Sequence, residues 1–288
     1  MKLSYSSDNN DLHDHKIYPN EILELLKTLN DPELLKFFQQ MDFTPQEKSG
    51  INLLAELKQN IDLSPKDVQK YIDEGANLEI SDDNEMTPLA MAVIRGNIRI
   101  VEILLKAGAN AKHNIAEDKN MLMLSNDQDI SELLIKYGAD IHHISAAGYT
   151  VLTYLSDKHF IDKDNIKFLL DQGLDIDAMD KNDYNPVFYA VKYNNESFLE
   201  FLLNEGANPN VMRYVVYYEY VTPLAQAVLN KNTKIIKLLL NFKANPNLYD
   251  KKENSPLYIA EELWKKYKYE IMEEIIKILV DAGAKYEN

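Results

Sequence analysis

At 288 residues, the chain is longer than most single globular cores and suits two domains or one extended array. Lys and Arg number 31 against 46 Asp and Glu, and the net charge of −15 repels nucleic acid and anionic membranes at long range while favouring a basic protein surface. The absence of cysteine excludes disulfides, thiolate zinc sites and cysteine nucleophiles. The polar N-terminal stretch and the lack of any long apolar run give the expectation of a soluble, cytoplasmic protein.

Residues 1–18 read as a disordered tail. Residues 19–49 read as a helical cap: Asn20 precedes "EILELLKTL", and Asp31-Pro32-Glu33 opens "PELLKFFQQM" with an N-cap, a proline at the first helical position and an acidic first turn. From residue 50 to 288 two patterns alternate. One is an apolar helical run closed by a glycine, at Gly75, Gly108, Gly138, Gly173, Gly206 and Gly283, with Lys243 in the equivalent place. Glycine there takes the left-handed conformation that ends a helix, so Lys243 is expected to carry mild strain. The other is Thr, Asn or Ser, then in most cases proline, then an apolar stretch, as in "MTPLAMAV", "YNPVFYAV", "VTPLAQAV" and "NSPLYIA". This is an N-cap followed by proline where its missing N–H does no harm. Two such marks per period spell helix, turn, helix, loop, a repeat array.

The register of both marks resembles the ankyrin repeat, whose pattern runs T-P-L-H-x-A-A, a turn, then V-x-x-L-L-x-x-G-A-x-x-N. "MTPLAMAVIRGNIRIVEILLKAGAN" (86–110) and "VTPLAQAVLNKNTKIIKLLLNFKANPN" (221–247) carry it best. The resemblance implies an all-α fold, an ankyrin-repeat α-solenoid of stacked helix–turn–helix units with short β-hairpin connections. It covers about six repeats plus a degenerate first one at 50–77, and the last repeat reads as a C-terminal cap, with a second binding element as the alternative. The histidine of the pattern is replaced by Ala90, Ala225 or Tyr258, so the hydrogen bonds it makes are replaced or absent.

Repeat lengths single out three places. Each glycine position lies 13 residues before the next helix start, except Gly206 to Pro223, which is 17, so one hairpin is extended into a finger. Its stretch, "VMRYVVYYEYV", places Tyr214, Tyr218 and Tyr220 on one face and Arg213 and Tyr217 on the other. Tyrosine supplies a rigid contact with a polar tip, which suits a protein interface; local packing is the competing reading. Met121 to Gly138 is short, implying a reduced first helix or turn, and "EELWKKYKYEIMEE" lengthens the first helix of the last repeat.

No phosphate-loop glycine pattern, H-E-x-x-H or Ser-His-Asp arrangement is present. The acidic runs at 81–86 and 171–184 lack calcium-loop spacing and read as solvated hairpin tips. The chain is therefore expected to be non-catalytic, with no cofactor and no metal, and to act as a monomer that binds another protein rather than nucleic acid or membrane. The resemblance implies binding through hairpin tips and the concave helix face. Tyr149, Tyr184 and Tyr193 map there beside Arg213, Tyr214, Tyr217, Tyr218 and Tyr220, while Tyr189 maps to the core. The second reading is an effector or immunity-type inhibitor that neutralises a basic target through its acidic surface.

Overall fold

The computed structural model describes residues 43–60, 62–158, 161–215 and 219–285. The expected tail (1–18) and most of the expected cap (19–42) lie outside the described residues, as do Tyr217, Tyr218 and the side chain of Tyr220. The chain forms two compact units, divided between Ala116 and Glu117.

The first unit holds α1 (Pro45–Gln59), α2 (Pro65–Asp73), α3 (Pro88–Ile94) and α4 (Ile98–Lys106). Thr44 and Ser64 open α1 and α2 with capping boxes closed by Glu47 and Asp67, and Thr87 accepts the Ala90 amide at the start of α3. Caps of this kind contribute about 1 kcal/mol each. α1 packs on α3 and α2 on α4.

The second unit holds α5 (Met121–Leu124), α6 (Gln128–Lys136), α7 (Val151–Ser156), α8 (Lys163–Asp171), α9 (Pro186–Lys192) and α10 (Glu196–Asn204). The strands β1 (Arg213–Val215) and β2 (Glu219–Val221) follow, then α11 (Pro223–Leu229), α12 (Thr233–Asn241), α13 (Pro256–Tyr267) and α14 (Ile271–Asp281). The first helices α5, α7, α9, α11 and α13 stack in file, and the second helices α6–α8 and α10–α12–α14 stack beside them. The leucine four residues before each anchor of this unit (Leu134, Leu169, Leu202, Leu239 and Leu279) is fully buried, because that position faces inward at the 3.6-residue period. Among the described residues no helix is long and apolar enough to cross a membrane.

The two length changes inside repeats take the expected form. α5 is reduced to four residues and α13 extends to 12. Shortening α5 leaves the Ser125 carbonyl in the core, and the fully buried Asn165 occupies a register that is otherwise apolar in this unit, donating to that carbonyl at 3.2 Å. Ser131 adds a 2.9 Å bond to the Ser125 hydroxyl. A polar group buried without such partners costs about 1–3 kcal/mol. Asn165, standing where the other repeats of this unit place Ile or Phe, satisfies the Ser125 carbonyl but leaves its own Oδ1 buried and unpaired, so the gain is partial.

The anchor glycines all adopt positive φ, and Lys243 does so as well, at 66°. The left-handed conformation is costly for a residue with a Cβ. Lys243→Gly should therefore raise stability by about 0.5–1 kcal/mol, read as a higher melting temperature.

Candidate partner-binding site

The site starts at the hairpin before α9. Asp180 Oδ1 accepts the backbone N–H of Asn182 at 2.8 Å and of Tyr184 at 3.0 Å, while Oδ2 accepts the Tyr189 hydroxyl at 2.7 Å. In the first unit Asp82 does the same for Asn84 and Met86, both at 2.9 Å. Both aspartates are 4% exposed, so the expectation that these acidic runs are solvated tips is overturned for Asp82 and Asp180. Their role was legible in one signal, the shared spacing of five residues to the helix N-cap, Asp82 to Thr87 and Asp180 to Asn185. Met86, expected at a tip, is buried for the same reason: its amide is folded back onto Asp82.

Around Asp180 the tyrosines close up into a plate. Tyr189, 2% exposed, lies 5.1 Å from the Tyr184 ring and stacks on Tyr193 at 6.3 Å. Burial first, then hydrogen bonding to Asp180 and Tyr149, pushes the Tyr189 phenol far above the usual range, so it remains a protonated donor. Tyr149 meets Tyr154 edge to face at 5.7 Å. Tyr193, 39% exposed, donates its hydroxyl to Asp157 at 2.5 Å.

Cations sit on this plate. The Arg213 guanidinium lies 3.6 Å from the Tyr184 ring centroid, and its Nε donates to the Asn182 carbonyl at 3.0 Å. Lys192 Nζ lies 4.9, 5.2 and 4.8 Å from the centroids of Tyr184, Tyr189 and Tyr193. Burial pulls the Lys192 ammonium down, but Tyr193, Tyr184 and Asp157 outweigh it and hold its pKa above the ordinary lysine value. Lys158 Nζ lies 4.3 Å from the Tyr154 centroid.

The structure thus brings Tyr149, Tyr184, Tyr193 and Arg213 into one contiguous cluster. It adds Tyr189, expected in the core and found there, and it adds Asp180 and Tyr154, which motif reasoning did not assign. Arg213 is held by two contacts at the base of the finger rather than projecting from it. In the finger itself β1 pairs antiparallel with β2 in the register Arg213↔Val221, Tyr214↔Tyr220, Val215↔Glu219. Val221 is buried, whereas Tyr214 is 48% exposed. The extended hairpin is therefore a true two-stranded ribbon, and among the described residues it is the only sheet.

The stacked helix pairs, left-handed closing residues and hairpins agree with the matches to known proteins. The description "Ankyrin repeats (3 copies)" fits residues 53–145 and 121–213, and "Ankyrin repeat" fits 220–251. The chain belongs to the ankyrin repeat family. It is 29% identical over 181 residues to the ankyrin repeat protein FPV024 of Fowlpox virus, and 29% identical over 156 residues to L371 of Acanthamoeba polyphaga mimivirus. These spans are 56% and 50% of this chain but 28% and 20% of the viral proteins, so it spans less than a third of either. Human ankyrin repeat and SOCS box protein 6 is 26% identical over 193 residues, which is 62% of this chain and 42% of that one. Among solved structures, the ankyrin repeat domain of Bcl-3 superposes with a TM-score of 0.62 at 22% identity, covering 83% of this chain and 100% of that domain. The human ASB11 ankyrin repeat domain gives 0.61 at 18% identity, covering 82% and 98%. These likenesses establish an all-α ankyrin solenoid, a fold that serves as a protein–protein interaction module.

Proposed function

We propose that this ankyrin array is a non-catalytic module that binds one protein partner through the tyrosine plate and the adjoining finger, using Tyr149, Tyr184, Tyr193, Arg213, Tyr214, Tyr217, Tyr218 and Tyr220. The observation that carries this reading is the plate's preorganisation. Buried Tyr189, anchored on Asp180, backs the more exposed rings of Tyr184 and Tyr193, and Lys192 and Arg213 pin them from above. Rings held in place before binding lose little conformational entropy on association, which is how aromatic anchors come to dominate interface energetics.

The test is capture by the immobilised full chain, quantified by mass spectrometry against Tyr217→Ser/Tyr218→Ser and, separately, Tyr193→Ala. A protein retained by the natural sequence should be lost from both variants while thermal melting of the double-serine variant is unchanged. Truncating an interface anchor costs about 2 kcal/mol or more, roughly thirtyfold in affinity. Equal retention by all three chains would refute the assignment.

A further inference from the structure

The plate continues along the turns that join first to second helices in the second unit. From Tyr193 the next contact is between turns: Asn194 Oδ1 accepts from Asn232 Nδ2 at 3.1 Å, and Asn230 Nδ2 donates to the Val191 carbonyl at 2.8 Å. Between Asn230 and Asn232 lies the exposed Lys231, whose Nζ is 3.9 Å from the Tyr269 ring centroid. Tyr269 stacks on Tyr267 at 5.4 Å, and both are exposed. Lys266 lies 5.0 Å from the Tyr267 centroid and Lys268 lies 4.3 Å from that of Trp264. The extra length of α13 is what carries these rings out: five residues beyond the seven of α9 and α11 add about 7.5 Å at 1.5 Å per residue.

Lysines thus ride on aromatic faces from Lys158 over Tyr154, through Lys192, to Lys231, Lys266 and Lys268. An aromatic face positions an ammonium while leaving its formal charge in place. Acids on the same edge are ordered as well. Asp157 accepts from Tyr193 and lies 3.9 Å from Lys192 Nζ, and Glu196 faces Lys234 at 3.6 Å, so those charges are paired. Asp162 caps α8 and Glu273 accepts from Trp264 at 3.1 Å, which orients both carboxylates while they keep their charge. In a chain of net charge −15, this edge gathers lysines beside exposed aromatic surface.

We infer that the partner segment seated along this edge is an extended acidic stretch of protein, its carboxylates meeting Lys158 and Lys231 and its apolar residues meeting Tyr193, Tyr267 and Tyr269. This deepens the protein-binding reading above and rests on it. It assigns the partner the opposite charge to the one the chain's net charge favours, because short-range contacts are set by the local face and net charge acts mainly on encounter. Nucleic acid is a poorer occupant, since its dense phosphate charge meets the full repulsion of an acidic chain.

The test uses the full chain and three fluorescein-labelled probes in fluorescence anisotropy: two peptides of equal length and equal apolar content, one with Glu and one with Lys at alternate positions, and a thymidine oligonucleotide. The Glu peptide should bind tightest, and Lys158→Glu/Lys231→Glu should weaken it about tenfold at unchanged melting temperature. Equal or tighter binding of the Lys peptide or of the oligonucleotide, no binding of the Glu peptide, or indifference to the double charge reversal would overturn the inference. Each of those results leaves the finger-dependent capture experiment to decide the broader reading by itself, so the two can fail separately.

Discussion

Replacing Lys58 with Met should destabilise the protein by about 3–5 kcal/mol, the usual consequence of removing one member of a buried ion pair. Lys58, near the end of α1, bonds Asp82 Oδ2 with side-chain exposures of 11% and 4%. The carboxylate is left uncompensated when the ammonium goes, since the amides of Asn84 and Met86 supply only partial charge. Lys58→Met/Asp82→Asn should recover most of the loss, because Asn keeps an acceptor for both amides and carries no charge. A double variant no more stable than the single one would show that charge burial is not the cause. The pH dependence supplies an independent readout. Burial pushes the Asp82 carboxyl up, but Lys58 and the Met86 and Asn84 amides outweigh it and hold its pKa below the ordinary carboxylate value. The pair's contribution is therefore fully present above about pH 4 and is lost as pH falls through the lower folded value. In Lys58→Met the sign reverses: acidification protonates a strained carboxylate, and the gap to the natural sequence narrows. Chemical denaturation across a pH series measures both.

Asp180→Ala should cost about 3 kcal/mol and abolish partner capture together. It strips the acceptor from two backbone amides and from the buried Tyr189 hydroxyl in one step. Buried donors left unpaired cost about 1–3 kcal/mol each, with some recovery from relaxation or entering water. Asp180→Asn keeps an acceptor for the Asn182 and Tyr184 amides and should cost only about 1 kcal/mol. Melting ranks the two variants for stability, and capture at a temperature where both are folded ranks them for function. Natural melting in Asp180→Ala would mean that the hairpin and plate do not depend on this side chain.

The contrast between the two aspartates shows what a linear reading misses. Both occupy the same register before an N-cap and make the same pair of amide contacts, which local spacing can reveal. Their second oxygen differs: Asp82 takes an ammonium from 24 positions upstream, Asp180 a phenol from nine positions downstream. Composition alone treats both runs as solvated acid. Arg213 is a similar case. As part of the finger it reads as a projecting contact, yet the preceding repeat offers a ring and an open carbonyl at its base, and it is held there.

By itself the sequence determined the helix pairs, their caps, their left-handed closing residues, the four-residue excess in the finger and the two unequal repeats. These are set by chemistry within a few residues: a hydroxyl reaching an amide three positions on, a glycine where φ is positive, a leucine every turn. Only the tertiary structure decided which acids are buried, that Asn165 answers the carbonyl freed by a shortened helix, and that lysines and tyrosines some thirty residues apart share one edge. Stacking repeats converts equal positions in successive periods into spatial neighbours, and each neighbour's charge and desolvation then act over distances that a local pattern does not contain.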